Sequence, residues 1–492
     1  MEERELNELM LQRQNKLKKL SLSGINPYKS KFERTHCISE IILAHKDIQP
    51  SENTNEKVTI AGRITALRKH GKASFATIND VSEKIQLYLA VDKLGEKRYG
   101  FFTDLDIGDW VGVSGSVFKT RRGELSIAIE DFELLSKSLR PLPEKWHGLK
   151  DVETRHRQRY IDLIVNPEVK ELFLTRNRIM VFIRRFLDEK GFLEVETPML
   201  QLIPGGATAR PFVTHHNTLD IDLYLRIAPE LYLKRLIVGG LERVYELNRN
   251  FRNEGMSARH NPEFTMLEVY QAYADYEDMM ELTRQLISSA AKEACGSAII
   301  EYEGKKLDFE NGWQEYTMLE AIEEFAGLKL SFEMKLEELK KVAEQHHVEV
   351  ENGFGKGKII AEVFEKLVEG KLVQPTFIKD YPIEITPLAK QHRDNPNLTE
   401  RFELIVAGRE IANAFSELIN PLEQRERFEQ QLDEDDEEAQ RIDEDFLRAL
   451  EYGMPPTGGL GIGIDRLVML LTNSHSIQEV IFFPQMRPEN RV

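Results

Sequence analysis

Apolar residues in the first quarter of the chain change period from helical to alternating. Leu6, Leu9, Met10, Leu17 and Leu20 recur at helical spacing among lysines and arginines until Gly24 and Pro27 interrupt them, which predicts an amphipathic N-terminal helix with a basic face. From Lys57 the period shortens to two, and turn residues separate runs at 58–64, 74–79, 85–90, 110–118 and 125–134. Five short strands in so little chain predict a small barrel such as an OB-fold. Ile85, Leu87 and Leu89 share its interior face, whereas Gln86 and Tyr88 face out. Phe75 shares a face with Ala73 and Thr77, and suits either a core position or an exposed platform for an unpaired base beside Arg68. Pro141 and Pro143 then stiffen a linker.

From about Asp151 long helical patterns mix with strands rather than alternating strictly, which predicts an α+β fold over a doubly wound sheet. The sharpest local pattern is a hairpin ending in Arg252 and Glu254 and resuming at His260, Asn261 and Phe264. Alternation along its second strand puts Phe264, Met266, Glu268 and Tyr270 on one face and Thr265, Leu267 and Val269 on the other. One face is core and the other is free to form a pocket. Arg252 offers a planar fork for phosphate oxygens and Phe264 a flat surface for a purine. An ordinary hairpin with surface ion pairs would read the same in isolation. Helical patterns resume at Met279 and continue to about Lys371, predicting a helical insertion at about 275–400. No glycine-rich phosphate loop sits between a strand and a helix, which argues against a Rossmann or Walker nucleotide site.

Size and charge refine this. At 492 residues the chain holds two or three cored domains. No apolar run approaches the ~18 residues of a membrane span, and Met1–Glu5 lacks a signal-peptide core, so a cytoplasmic protein is expected. Cys37 and Cys295 lie far apart without metal-ligand spacing and read as plain thiols. The net charge of −17 disfavours nucleic acid overall, but residues 57–140 carry 14 Lys and Arg against 11 Asp and Glu. A mildly basic barrel on an acidic body can still dock RNA on one face. The acidic run at 429–445 reads as a solvated helix face or loop.

Three runs place these features in a family. Residues 191–198 (GFLEVETP), the hairpin from Phe251 to Phe264, and residues 461–466 (GIGIDR) resemble, in order, motifs 1, 2 and 3 of class II aminoacyl-tRNA synthetases. With the N-terminal barrel, the chain closely resembles the bacterial lysyl-tRNA synthetase family over nearly its whole length. The resemblance implies residues 1–56 as helix and lead-in, 57–136 as an anticodon-binding OB-fold, 137–165 as linker and 166–492 as the catalytic domain. It also implies a homodimer, built through motif 1.

By that resemblance Arg252 holds the α-phosphate of ATP and Arg466 the γ-phosphate, the two catalytic arginines. Phe264 stacks on adenine, Glu254 accepts from its amino group, His260 sits near the phosphates, and Asn261 belongs to the same ATP site. Glu403 and Glu410 match the magnesium-binding acids, Glu403 also counting toward the ATP site. Gly206, Glu230, Glu268, Tyr270, Asn413, Phe415 and Glu417 match the lysine-binding positions, and three acids suit a substrate ammonium. Arg68, Phe75, Gln86 and Glu124 match anticodon-reading positions for tRNA(Lys). The implied activity is condensation of lysine with ATP and transfer of the lysyl group to the 3′ end of tRNA. The alternatives are an aspartyl- or asparaginyl-type relative, which would need a cation or amide in place of the acids, and a non-catalytic paralogue, which would often lack a motif arginine or the barrel. Ala412, Ala414, Thr208 and the pair Ile419 and Asn420 depart from the commonest family text.

Overall fold

A computed structural model describes residues 3–143, 149–351, 353–433 and 442–489. Two compact units divide the chain, Met1–Lys150 and Asp151–Val492.

In the first unit a helix at Glu3–Leu22 precedes a closed five-stranded barrel. Its strands are Asn53–His70, Ala73–Asn79, Lys84–Ala90, Trp110–Lys119 and Leu125–Ser136, and the ring runs first, second, third, fifth, fourth. The alternation that predicts these strands also fills the barrel, since Ile78, Ile85, Leu87, Leu89, Val113 and Ile127 are all buried on the inside. The first strand is longer than its apolar run because a bulge between Ile64 and Ala66 lets it bend and pair on both sides. Lys16 anchors the N-terminal helix through Asp106 at 2.8 Å, and Arg13 donates to the Ile107 carbonyl at 3.0 Å.

The second unit is built on an eight-stranded sheet. In spatial order its strands are Gln314–Thr317, Thr376–Lys379, Arg401–Val406, Arg409–Ser416, Thr457–Gly463, Glu263–Ala272, Arg243–Phe251 and Leu193–Glu194. The central pairings are antiparallel, and only the outermost pair at each end is parallel. Helices Pro167–Glu189, Tyr276–Cys295 and Ile464–Leu471 cover one face, where Leu267, Val269, Leu460, Ile462, Ala412 and Ala414 join one core with them. A sheet buried on one face only leaves its other face for a site. On that side helices Glu230–Val238 and Glu444–Glu451 pack around Tyr270 and Phe428.

The stretch expected to be helical at about 275–400 is more mixed. Helices Met318–Ala326, Leu336–Gln345 and Lys356–Leu367 form their own core, but Ile299–Tyr302 and Lys305–Asp308 make a hairpin, and strands Gln314–Thr317 and Thr376–Lys379 extend the main sheet. Strands of four residues are too short for a period that distinguishes them from helix, and Thr376–Lys379 is buried on both faces. Residues 152–165, expected within the linker, form two short helices in which buried Arg159 pairs with Asp162 at 2.7 Å and donates to the Gln478 carbonyl at 2.9 Å. Part of the expected linker, and residues 434–441 of the acidic run, lie outside the described residues.

Candidate active site

Sheet register assembles the site. Glu268 is the partner of Gly461, Gly461 of Asn413 and Asn413 of Glu403, so one row crosses four strands; Tyr270, Gly459, Phe415 and Arg401 form the next row. Neighbouring strands lie ~4.8 Å apart, so the two side-chain walls at Glu268 and Asn413 stand roughly 10 Å from each other. Glycine is required between them. A Cβ at Gly461 would lie 3.2 Å from the Met266 methyl, and one at Gly459 would run into the Glu417 carboxylate and the Tyr270 ring. The result is a trough, part of a cavity of about 350 Å³ lined by residues of both rows.

One end of the cavity carries the arginines. Arg252 lies with its guanidinium 5.2 Å from the Phe264 ring centre, and its buried Nε has no hydrogen-bond partner, leaving a donor for an anion. Arg466 donates to the Glu410 carbonyl at 2.8 Å and lies 3.2 Å from both Glu410 Oε2 and His260 Nε2. Arg466 is fixed from behind. Its neighbour Asp465 accepts from the Thr265 amide at 2.7 Å and pairs with Arg176 at 2.7 Å, pinning the helix start to the adjacent strand. Burial and the nearby Arg466 hold His260 below its ordinary range, so the imidazole is neutral at pH 7. Glu254 lines the cavity and is exposed. Asn261 lines it too, but its amide is engaged by the chain itself, donating to the Glu263 carbonyl at 2.6 Å and accepting from Gln485 N at 3.2 Å.

Glu403 lies beside this end, bound to Arg401 at 2.5 Å, while Arg401 also donates to Asn413 Oδ1 at 3.0 Å. Burial and the neighbouring Glu410 push the Glu403 carboxyl up to about 7 against the pull of Arg401. Among the described residues no group of three or more His, Cys, Asp or Glu is arranged as a metal cage. Magnesium does not need one, since it takes one or two carboxylates together with phosphate oxygens and water.

The other end gathers the acids. Glu230, Glu268 and Glu417 are all buried, at 6%, 5% and 1% exposure. Tyr270 donates to Glu268 at 3.2 Å. Burial, reinforced by Glu230, pushes the Glu268 carboxyl up to about 8, with Arg226 opposing. Burial also raises Glu417 well above the carboxylate range, partly countered by Lys234. Gly206 turns with φ at +88°, and a Cβ there would stand 2.8 Å from the Glu230 Cβ. Asn413 and Phe415 line the cavity opposite these acids.

Two buried cations here escaped the sequence reading. Arg226 pairs with Glu246 at 2.6 Å, and Glu246 is the cross-strand partner of Glu268. Lys234, wholly buried, pairs with Glu230 at 2.7 Å and with Glu417. Its i,i+4 spacing from Glu230 was visible, but the approach of Glu417 was not. Of the departures from family text, Thr208 lines the cavity, whereas Ala412 and Ala414 point into the opposite core and Ile419 packs against the Phe428 cluster.

On the barrel, Arg68, Phe75 and Tyr88 are register partners across three strands, and Thr77, Gln86 and Ser126 form the neighbouring row. The Phe75 and Tyr88 rings lie 5.3 Å apart, and Phe118 extends the aromatic strip at 5.8 Å. Phe75 is half-buried on the outer surface, which removes it from the core. Gln86 donates to Ser126 at 3.0 Å, and exposed Glu124 stands at the start of that same strand's approach.

A barrel, an antiparallel sheet and a cavity with two convergent arginines define a class of protein. Residues 151–487 match the tRNA synthetases class II (D, K and N), and residues 58–135 match the OB-fold nucleic acid binding domain. The chain belongs to this class II tRNA synthetase family. It is 59% identical to the lysine–tRNA ligase of Pelotomaculum thermopropionicum over 99% of this chain and 96% of that protein. It is 57% identical to the lysine–tRNA ligase of Carboxydothermus hydrogenoformans over 100% of both, and 54% identical to that of Bacillus subtilis over 98% of both.

Proposed function

We propose that this chain activates lysine with ATP to form lysyl-adenylate and pyrophosphate, then transfers the lysyl group to the 3′ end of tRNA(Lys). The observation that carries this reading is a cavity lined by the buried acids Glu230 and Glu268 and by Arg252 and Arg466, with buried Glu417 directly beside its Gly459 wall. Three acids replace the water around a substrate ammonium, and an acid partly protonated when the pocket is empty ionises as the amine arrives. An aspartyl- or asparaginyl-type substrate would meet repulsion there. A non-catalytic role fails to account for both arginines facing one cavity.

In the first step an oxygen of the lysine carboxylate bonds to the α-phosphorus of ATP as the bond to pyrophosphate breaks. The carboxylate is already ionised at neutral pH, so no general base is needed. Arg252 beside Phe264 orients the α-phosphate against the adenine platform, and Arg466 draws the γ-phosphate back, so positioning and charge stabilisation supply the rate. His260 and Glu254 close the loop side. In the second step the terminal hydroxyl of tRNA attacks the acyl carbon and AMP leaves.

Glu403 and Glu410 fit a magnesium ion. Glu403, raised to about 7 by burial and in part by Glu410, and Glu410, 42% exposed beside Arg466, are the two carboxylates that would hold the ion. When bound, the ion offsets triphosphate charge. The aromatic strip at Phe75, with Arg68, Gln86 and Glu124 around it, suits stacking and edge contacts to anticodon bases. Exposed Leu193, Leu200, Leu202 and Val213 near the 191–198 run support a homodimer that covers them. Among the described residues no helix is long and apolar enough to cross a membrane, and we place the protein in the cytoplasm with its tRNA. Pyrophosphate exchange with each of the twenty amino acids tests the reading: lysine alone should support it, and exchange driven by aspartate or asparagine would overturn it.

A further inference from the structure

Lys234 has no place in the chemistry above, yet it is the cation closest to the acids of the pocket. Its side chain has no exposed surface, it sits 2.7 Å from Glu230 Oε1 and in contact with Glu417 Oε2, and the Phe415 and Phe446 rings confine its ammonium at 5.5 and 5.9 Å. Helix Glu230–Val238 supplies Lys234 and Glu230, and the segment after strand Arg409–Ser416 supplies Glu417. The bridge therefore joins Glu230 on the cavity wall to Glu417, which lies directly beside Gly459 of that wall.

We propose that Lys234 is a positioning residue for the amino-acid subsite, clamping Glu230 and Glu417 into one fixed pair so that both carboxylates stay available to the substrate amines. The proposal rests on the lysine reading of this pocket. Two carboxylates near enough to share one ammonium cannot both remain charged when that ammonium is removed, so one takes up a proton or turns away. The substrate then loses a charged partner. Once lysine arrives and Glu268 ionises, three acids against Lys234 leave two negative charges, which match the two ammonium groups of free lysine. Burial opposes the charge on Lys234, but Glu230 and Glu417 outweigh it and hold the ammonium above its ordinary range.

The test is lysine-dependent pyrophosphate exchange by the full-length protein carrying Lys234→Met, Glu417→Gln, or both. A lost charged partner corresponds to a rise in lysine KM of roughly tenfold or more for Lys234→Met, with ATP KM within about twofold of the parent. The double variant should have a lysine KM no higher than that of Lys234→Met alone, because the clamp and the charge it neutralises act as one unit. Should Lys234→Met not be recovered folded, a double variant that melts no lower than Glu417→Gln supports the clamp, and one that is also unfolded refutes it. A folded Lys234→Met protein with an unchanged lysine KM, an ATP KM rising in step, or two effects that simply multiply would each overturn the proposal. Failure of the parent protein to use lysine at all would instead strike the functional reading.

Discussion

Replacing Glu268 by Gln removes one charge and almost no volume from the floor of the pocket, and the structure sets opposite signs for its effects on stability and on substrate use. The carboxyl is 5% exposed and pushed up to about 8, by burial first and then by Glu230. From an ordinary 4.5 to about 8, at ~1.4 kcal/mol per pH unit, about 5 kcal/mol is held against the ionised form. A folded-state value above the unfolded one means that this site's stabilisation is full below about 4.5 and lost as pH rises to about 8. By pH 7 about 3 kcal/mol of it has gone. The Gln variant never ionises, so without lysine it should melt several degrees above the parent. Lysine use should worsen. Truncating one partner of a buried charge pair costs about 2–5 kcal/mol, and at pH 7 the parent spends ~1.4 kcal/mol shedding its proton, so a rise in lysine KM of roughly threefold to a few hundredfold is expected. The assays are lysine-dependent pyrophosphate exchange, varied in lysine and in ATP, and thermal melts without substrate. An unchanged lysine KM, an ATP KM that rises equally, or a lower melting temperature would refute the reasoning.

The same titration predicts that the parent's lysine KM falls as pH rises from about 6 to about 8, and that Glu268→Gln flattens this profile; a flat parent profile would remove Glu268 from contact with the amine. Gly459→Ala places a methyl group against the Glu417 carboxylate and the Tyr270 ring, so lysine-dependent exchange should drop at least tenfold while the protein still melts cooperatively, as measured by exchange kinetics and calorimetry. Phe75→Ala should weaken aminoacylation of tRNA(Lys) through its KM, by about 1–3 kcal/mol of lost stacking, with pyrophosphate exchange unchanged. Parallel loss of both activities would contradict a role confined to the barrel. Chelation of divalent cations should abolish exchange yet leave the thermal shift produced by lysine, because Glu403 lies three strands away from Glu268 and Glu410 lies on Arg466.

What the sequence determined alone was whatever depends on local period and residue chemistry. Alternation fixed the barrel strands and the two faces of 263–272, because side chains in a strand have no choice but to alternate; Arg252 and Phe264 pointed to a nucleotide, and the family resemblance implied a cationic substrate. Tertiary structure decided which distant residues meet. Residues 268, 461, 413 and 403 share a row only because four antiparallel strands pair in one register, and nothing in the spacing of those positions encodes it. Asn261 matched an ATP-site position by resemblance, and only the fold shows its amide held by the Glu263 carbonyl and the Gln485 amide while it lines the cavity. The sequence singled out nothing at Lys234, and only the arrival of Glu417 from nearly two hundred residues away makes it a buried cation between two acids. Ion pairing in a desolvated pocket is a property of three-dimensional proximity, which a linear pattern does not carry.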